Sequence, residues 1–309
     1  MKPPSFVPPL LSVLAAAVVL VGCDIIVDDS LPAVSPPENF IMTFEDEFEG
    51  AAGSPPDLAI WQFDLGTGPD GDGWGNQEQQ FYTGDPENIG LDGNGNLVIT
   101  AVQEEFGGRQ YTSSRIRTQD NFEQQYGRFE ARIQIPSGEG LWPAFWMLGN
   151  TFPDSESTPE EIRRGTWPAP GEIDIMEADG FNTDRIFGSV HGPGYSGGEA
   201  LTEVFRSDVD LSEDFHVYAI EWDPGVIRWY VDDELYATVT TAAVRNQVPL
   251  PGASDPEWVF TKPFFMILNL AVGGSFVGDV VDDTALPASM VIDYVRVYER
   301  NPASLPSAD

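Results

Sequence analysis

Apolar and polar residues alternate over short stretches along most of this chain, and clusters of Gly, Pro, Asp and Asn separate those stretches. A period of two is the signature of a strand with one buried face. Leu97-Val98-Ile99-Thr100 and residues 126–135, 141–148 and 186–191 read this way. Residues 215–222 meet 226–231 across Asp223-Pro224-Gly225, and Val231 meets Leu235 across Asp232-Asp233-Glu234, which makes an antiparallel meander. Residues 263–272 and 290–298 complete the set. No long segment repeats with the 3.6-residue period of a helix, so the pattern predicts an all-β fold. Two stacked, curved antiparallel sheets built from about fourteen short strands are the expected arrangement, with a cleft on the concave side.

The start of the chain breaks this pattern. Met1-Lys2 is a short positive start, an apolar run over 6–21 follows, and Leu20-Val21-Gly22-Cys23 closes it. The run is too short to span a bilayer and has the layout of a secretory signal. Its ending resembles the lipobox of bacterial lipoproteins, which implies a signal over 1–22 and lipidation of Cys23. Cys23 is the only cysteine, so an intrachain disulfide is excluded. Residues 23–39 are polar and proline-rich and read as a tether; 40–300 read as one domain and 301–309 as a frayed tail. The expected location is the cell envelope outside the cytoplasm, periplasmic or at the cell surface, with membrane contact only through the lipid anchor.

Charge narrows the partners. Fifty acids stand against 15 bases in 309 residues, a net charge of −35. Such a surface repels nucleic acid and anionic membrane, which excludes nucleic-acid binding. It also repels strongly anionic substrates and points to a neutral polymer. The chain is expected to act as a monomer.

The most specific chemistry lies in Gly171-Glu172-Ile173-Asp174-Ile175-Met176-Glu177-Ala178-Asp179-Gly180. Glu172 and Asp174 share one face of a strand, with Ile173 and Ile175 on the other. Glu177 comes five positions after Glu172, so a regular strand would turn it to the wrong face. A one-residue bulge at about Ile175-Met176 would bring it back. Three carboxylates on one face repel one another and raise one another's pKa. A solvated strand would mix Lys, Thr and Ser among its outer residues, whereas this one has only acids. Two carboxyls flanking a scissile bond, one protonated and one ionised, are what glycoside hydrolysis uses. Of the eight tryptophans, Trp222 and Trp229 sit on meander strands and are assigned to the core. Trp74, Trp142 and Trp167 sit beside Gly and Pro, where an aromatic face can stack on a sugar ring.

In these surroundings the acid cluster resembles the Glu-x-Asp-x-x-Glu signature of glycoside hydrolase family 16, in the bulged form of its laminarinases. The similarity runs over roughly 40–298. It includes Gly73-Trp74-Gly75-Asn76-Gln77-Glu78-Gln79-Gln80-Phe81-Tyr82-Thr83, Tyr111-Thr112-Ser113-Ser114-Arg115 and Leu141-Trp142-Pro143-Ala144-Phe145-Trp146-Met147-Leu148. It continues through Val190-His191-Gly192-Pro193-Gly194-Tyr195 and Asn269-Leu270-Ala271-Val272-Gly273-Gly274. The resemblance implies a β-jelly-roll sandwich with the substrate cleft on its concave face. It implies retaining, endo-acting hydrolysis of β-1,3-glucan by double displacement. Glu172 would be the nucleophile and Glu177 the acid/base, with Asp174 between them and hydrogen-bonded to Glu172. Trp142, Trp146 and Trp167 would stack on glucose rings, Asn76 and Arg115 would bind hydroxyls, and His191 would lie near the acid/base. Asn269 and Phe276 complete the implied substrate-binding set, while His216, in the meander, is assigned a structural role. Glu47, Gly95 and Asp293 align with a structural calcium site; no cofactor is implied for the chemistry.

Two departures from the family pattern stand out. Ser275-Phe276 follows the Ala-Val-Gly-Gly segment where many laminarinases carry Trp, so one subsite keeps a stacking ring but lacks an indole donor. The polar stretch 150–165 is longer than the family pattern and is read as a surface insertion bordering the cleft. Alternative readings keep the chemistry on mixed-linkage β-1,3-1,4-glucan or a galactan, or drop it for a non-catalytic β-glucan-binding module. The extra Met176 favours laminarin over lichenan, and the presence of both glutamates favours catalysis over binding alone.

Overall fold

The structure, a computed structural model, describes residues 39–152, 166–249 and 252–304. The expected signal, Cys23, nearly all of the tether, most of the 150–165 stretch and the last residues of the tail lie outside the described residues. Seventeen strands occur among the described residues. They begin with β1 (Phe40–Asp46), β2 (Gln62–Phe63), β3 (Gln80–Tyr82), β4 (Ile89–Leu91), β5 (Leu97–Phe106) and β6 (Arg109–Ser113). Next come β7 (Arg115–Arg117), β8 (Gly127–Gln134), β9 (Leu141–Gly149), β10 (Glu172–Glu177), β11 (Arg185–His191) and β12 (Leu201–Arg206). Last are β13 (His216–Asp223), β14 (Val226–Val231), β15 (Glu234–Thr240), β16 (Phe264–Val272) and β17 (Ala288–Arg300).

These strands form two sheets, as the alternation predicts. A seven-stranded cleft sheet runs β12-β11-β10-β9-β16-β7-β2, and a ten-stranded back sheet runs β15-β14-β13-β8-β17-β5-β6-β3, with β1 added on β17 and β4 on β5. The pairing is antiparallel except for β3 with β6, which run parallel from Gln80 opposite Tyr111 to Tyr82 opposite Ser113. β4 and β5 intervene between these two strands, so no hairpin dictates their direction.

The meander turns follow from backbone chemistry. Asp223 pairs with Val226 across Pro224-Gly225, and Gly225 takes a positive φ of 81° that costs glycine nothing. Val231 pairs with Glu234 across Asp232 and Asp233, both at positive φ, as a two-residue hairpin turn requires. His216 is structural as expected, since its Nδ1 lies 2.6 Å from Asp232 Oδ2 beside that turn. A short α-helix, Thr241–Arg245, is capped by Thr240, whose hydroxyl accepts from the Ala243 N–H at 3.2 Å. At five residues it is too short to show as a period.

Between the sheets lies a continuous apolar core. Phe129, Ile133, Trp222, Trp229 and Ile292 of the back sheet meet Phe145, Met147, Ile173, Met266 and Leu268 of the cleft sheet, all buried. The assignment of Trp222 and Trp229 to the core therefore holds. Burying one parity of β9, β10 and β16 in this core forces the other parity outward, and the cleft-facing side chains follow from that.

The trio Glu47, Gly95 and Asp293 lies on the back sheet, around the β1–β17 pair. A Cβ on Gly95 would lie 3.8 Å from the Glu47 carbonyl oxygen, so these two meet. The Glu47 carboxylate, however, is held in both directions by Arg296, at 2.7 Å from Nε and 2.8 Å from Nη2. Asp293 Oδ2 accepts from Arg132 Nη1 at 2.6 Å. Both carboxylates are thus engaged by arginine, Glu47 in bidentate fashion. The expected site draws on backbone carbonyls and one carboxylate; the Glu47 carbonyl faces Gly95, and Arg132 holds the Asp293 carboxylate.

Candidate active site

Strand register assembles the site as three rows across the cleft sheet. His191, Glu172, Leu148 and Phe265 form the first row, and Ser189, Asp174, Trp146, Ile267 and Arg117 the second. Phe187, Glu177, Ala144, Asn269 and Arg115 form the third. Between the second and third rows β10 carries one extra residue. Asp174 faces Trp146 while Met176 already faces Phe145, and toward β11 Asp174 faces Ser189 while Glu177 faces Phe187. The predicted bulge is present, and it returns Glu177 to the face of Glu172 and Asp174. All three acids line one cavity of about 650 Å³.

Each outer acid receives an indole N–H. Trp167 Nε1 donates to Glu172 Oε2 at 3.1 Å, and Trp142 Nε1 donates to Glu177 Oε1 at 2.9 Å. The two tryptophans expected only as stacking surfaces thus also hold the carboxyls in place. Trp167 keeps 39% of its surface exposed and can still present a face to a sugar. Trp142 is buried and packs against Phe276 with the two rings tilted and their centroids 5.2 Å apart.

His191 lies beside the middle of the triad. Its Nδ1 accepts from the Gly197 N–H at 3.1 Å, so the proton of the neutral ring sits on Nε2. Nε2 is 3.1 Å from Asp174 Oδ2 and 3.6 Å from Glu172 Oε1. The Asp174 carboxyl therefore lies beside both His191 and Glu172. Donor atoms of Glu172, Asp174 and His191 all lie within 4.8 Å of one another, compact enough for one cation. Nε2 is the ring nitrogen nearest the two acids.

Burial raises the pKa of all three acids. For Glu172 and Glu177 the negative charge of Asp174 adds to that effect, while His191 and the indole bonds partly offset it. Asp174 is pushed up to about 8 by burial. Like charges this close share their protons, and the cluster titrates as a unit. A carboxyl whose folded-state pKa is raised stabilises the fold only while protonated. The stability is complete below the ordinary value of 3.8 and is lost as pH rises toward about 8. Asp174→Asn is accordingly expected to raise Tm by about 2–4 °C at pH 8 and to leave it unchanged below pH ~4. Thermal unfolding across that range checks this; a variant melting below the wild type at pH 8 would contradict the assigned shift.

The opposite end of the third row is a polar floor. Arg115, 6% exposed, lies between Trp74 at 4.4 Å and Trp146 at 4.8 Å from the ring centroids. Its Nε is 2.9 Å from Asp64 Oδ2, and Arg117 Nε is 3.3 Å from Asp64 Oδ1. Trp146 Nε1 donates to Asn269 Oδ1 at 2.7 Å, and Asn269 Nδ2 donates to Tyr82 Oη at 3.2 Å. Asn76 donates to Glu78 at 3.2 Å and Gln80 donates to the same carboxyl at 2.7 Å. Burial pushes Glu78 up, with Arg115 and these amides pulling it back. All eight expected substrate-binding residues line the cavity.

Asp64, Glu78 and Phe187 are additions to the expected set. Asp64 and Glu78 line the cavity, and Phe187 meets Phe276 edge-on at 5.1 Å, in the row of Glu177. Phe187 was open to discovery by parity, since it alternates with Ser189 and His191. Asp64 carried no signal, because its role depends on β2 pairing with β7.

Comparison with known proteins agrees with this geometry. A profile of glycosyl hydrolases family 16 matches residues 76–262. A beta-glucanase of Rhodothermus marinus is 41% identical over 288 residues, covering 91% of each chain. Among solved structures, the laminarinase catalytic domain of Thermotoga maritima MSB8 is similar at TM-score 0.74 and 41% identity, over 85% of this chain and 99% of its own. The endo-beta-1,3-glucanase of Pyrococcus furiosus is similar at TM-score 0.73 and 44% identity, over 84% of this chain and 94% of its own.

Proposed function

This chain belongs to glycosyl hydrolases family 16, and on that premise we propose that it is an endo-β-1,3-glucanase of the laminarinase type, acting with retention. The observation that carries the reading is the bulged strand β10, which sets Glu172 and Glu177 on one face of the cleft, each held by its own indole donor.

In the first step Glu172, ionised, attacks the anomeric carbon while Glu177, protonated, gives its proton to the departing glycosidic oxygen. The C–O bond to the leaving chain breaks and an ester to Glu172 forms. In the second step Glu177, now ionised, takes a proton from water, the water oxygen bonds to the anomeric carbon, and Glu172 departs. Two inversions retain the configuration. Crowded negative charge supports this cycle, because ionising Glu172 makes a second ionisation at Glu177 unfavourable. His191 Nε2, 3.1 Å from Asp174 Oδ2 and 3.6 Å from Glu172 Oε1, lies where it can offset charge on both carboxylates.

Endo action is supported by the extent of the cleft. Its lining runs from Thr202 on edge strand β12 to Asp64 beside edge strand β2. Seven strands at a spacing of about 4.8 Å span about 29 Å, room for several sugar rings with the acids well inside. The net charge of −35 suits a neutral glucan.

A substrate panel of laminarin, curdlan, lichenan and agarose, with product sizes resolved, tests the reading. Laminarin is expected to give the highest kcat/KM and to release oligosaccharides of mixed length. Faster turnover of lichenan or agarose would move the assignment to mixed-linkage glucan or galactan, and binding without turnover would leave a glucan-binding module.

A further inference from the structure

Trp229 belongs to β14 of the back sheet, yet its indole crosses the core to the bulge of β10. Its Nε1 donates to the Asp174 carbonyl oxygen at 2.8 Å, fully buried. That carbonyl belongs to the last residue before the register shift, where a bulge interrupts the ladder and leaves backbone groups to be satisfied by other means. Across β11, the residue between the partners of Asp174 and Glu177 is Gly188. A Cβ there would meet the Tyr236 hydroxyl first and would lie 2.6 Å from Trp229 Cδ1 and 2.9 Å from Nε1. Glycine at this position leaves the gap through which the indole reaches the bulge.

From this arrangement we infer that Trp229, seated against Gly188, is a positioning residue for Glu177: it pins the bulge that turns Glu177 onto the catalytic face. Glu172 and Asp174 precede the bulge and are aligned by the regular ladder, so the pin acts on Glu177 in particular. The inference rests on the reading of Glu177 as general acid.

Trp229→Phe removes the donor and keeps an aromatic ring, and Gly188→Ala displaces the indole while leaving Trp229 in place. Each variant, with the double variant, is assayed for kcat/KM on laminarin and on a dinitrophenyl β-1,3-linked glucoside, whose leaving group departs without a proton. Kcat/KM reports only steps up to glycosylation, so the second substrate bypasses the acid. Both single variants are expected to lose about 10–100-fold on laminarin and to stay within about threefold of wild type on the dinitrophenyl substrate. The double variant is expected to be no worse than the poorer single one, since both changes act through the same indole bond to the bulge. Wild-type kcat/KM on laminarin for Trp229→Phe, equal losses on the two substrates, or losses that multiply in the double variant would each overturn the inference. Glu177→Ala, run alongside, separates the premises: if it shows no dependence on the leaving group, the assignment of Glu177 itself fails, whatever Trp229 does.

Discussion

Glu172→Gln is expected to abolish laminarin hydrolysis, lowering kcat by about 10⁴-fold or more, which at about 1.36 kcal/mol per factor of ten is at least ~5 kcal/mol of lost transition-state stabilisation. The amide oxygen is too weak a nucleophile to form the glycosyl ester, and no other carboxylate stands in its row. Shape is conserved: the side-chain oxygen of Gln can still accept from Trp167 Nε1, which bonds Glu172 at 3.1 Å in the native site. Removing one of three crowded negative charges also relieves repulsion at Asp174 and Glu177. Binding of laminarin oligosaccharides should therefore survive. Reducing-sugar release and calorimetric titration on the same preparation measure the two properties separately. Native-like turnover by this variant would remove Glu172 from the nucleophile's role; loss of binding together with activity would mean that the substitution damaged the cleft.

The second large effect is expected at Glu177. Glu177→Ala should lower kcat/KM on laminarin by about 10²–10⁴-fold, the range that general acid catalysis contributes. The loss should nearly vanish in the glycosylation step of a substrate whose leaving group needs no proton. Deglycosylation would then become slow, because no base remains to activate water, and added azide should restore turnover. The azide enters opposite the ester bond, so the expected product is the β-glycosyl azide, identifiable by NMR. An α-glycosyl azide would instead indicate a single displacement and contradict retention. Trp142, which donates to Glu177 at 2.9 Å, loses its acceptor in this variant and supplies no replacement acid.

Much of this site was legible along the chain, and particular residues show why. Glu172 and Asp174 share a face because successive strand side chains alternate, a property of the backbone itself. The odd spacing of Glu177 required a bulge, and the bulge lies where the parity argument put it. The meander turns were readable because Gly225, Asp232 and Asp233 have the local chemistry that positive φ demands. The polar floor was only half readable. Arg115 was expected as a hydroxyl-binding group, but its guanidinium is wedged between Trp74 and Trp146 and charge-paired to Asp64. Glu78 lies inside a segment already singled out, yet nothing local says that its carboxyl is buried among Asn76, Gln80 and Arg115. In the same way, nothing in the neighbourhood of Glu47 announces Arg296, 249 positions away, which holds its carboxylate.

The sequence by itself determined which side chains share a face, where the tight turns fall, and that three acids gather on one strand, because each depends on backbone periodicity or on a residue's own φ and ψ. Tertiary structure alone decided what those acids touch. Trp142 reaches Glu177 across 35 positions, and Trp229 reaches the bulge from the opposite sheet across 55. Such partners depend on how distant strands register and how two sheets stack, and those follow from packing the whole core at once rather than from any local stretch of chain.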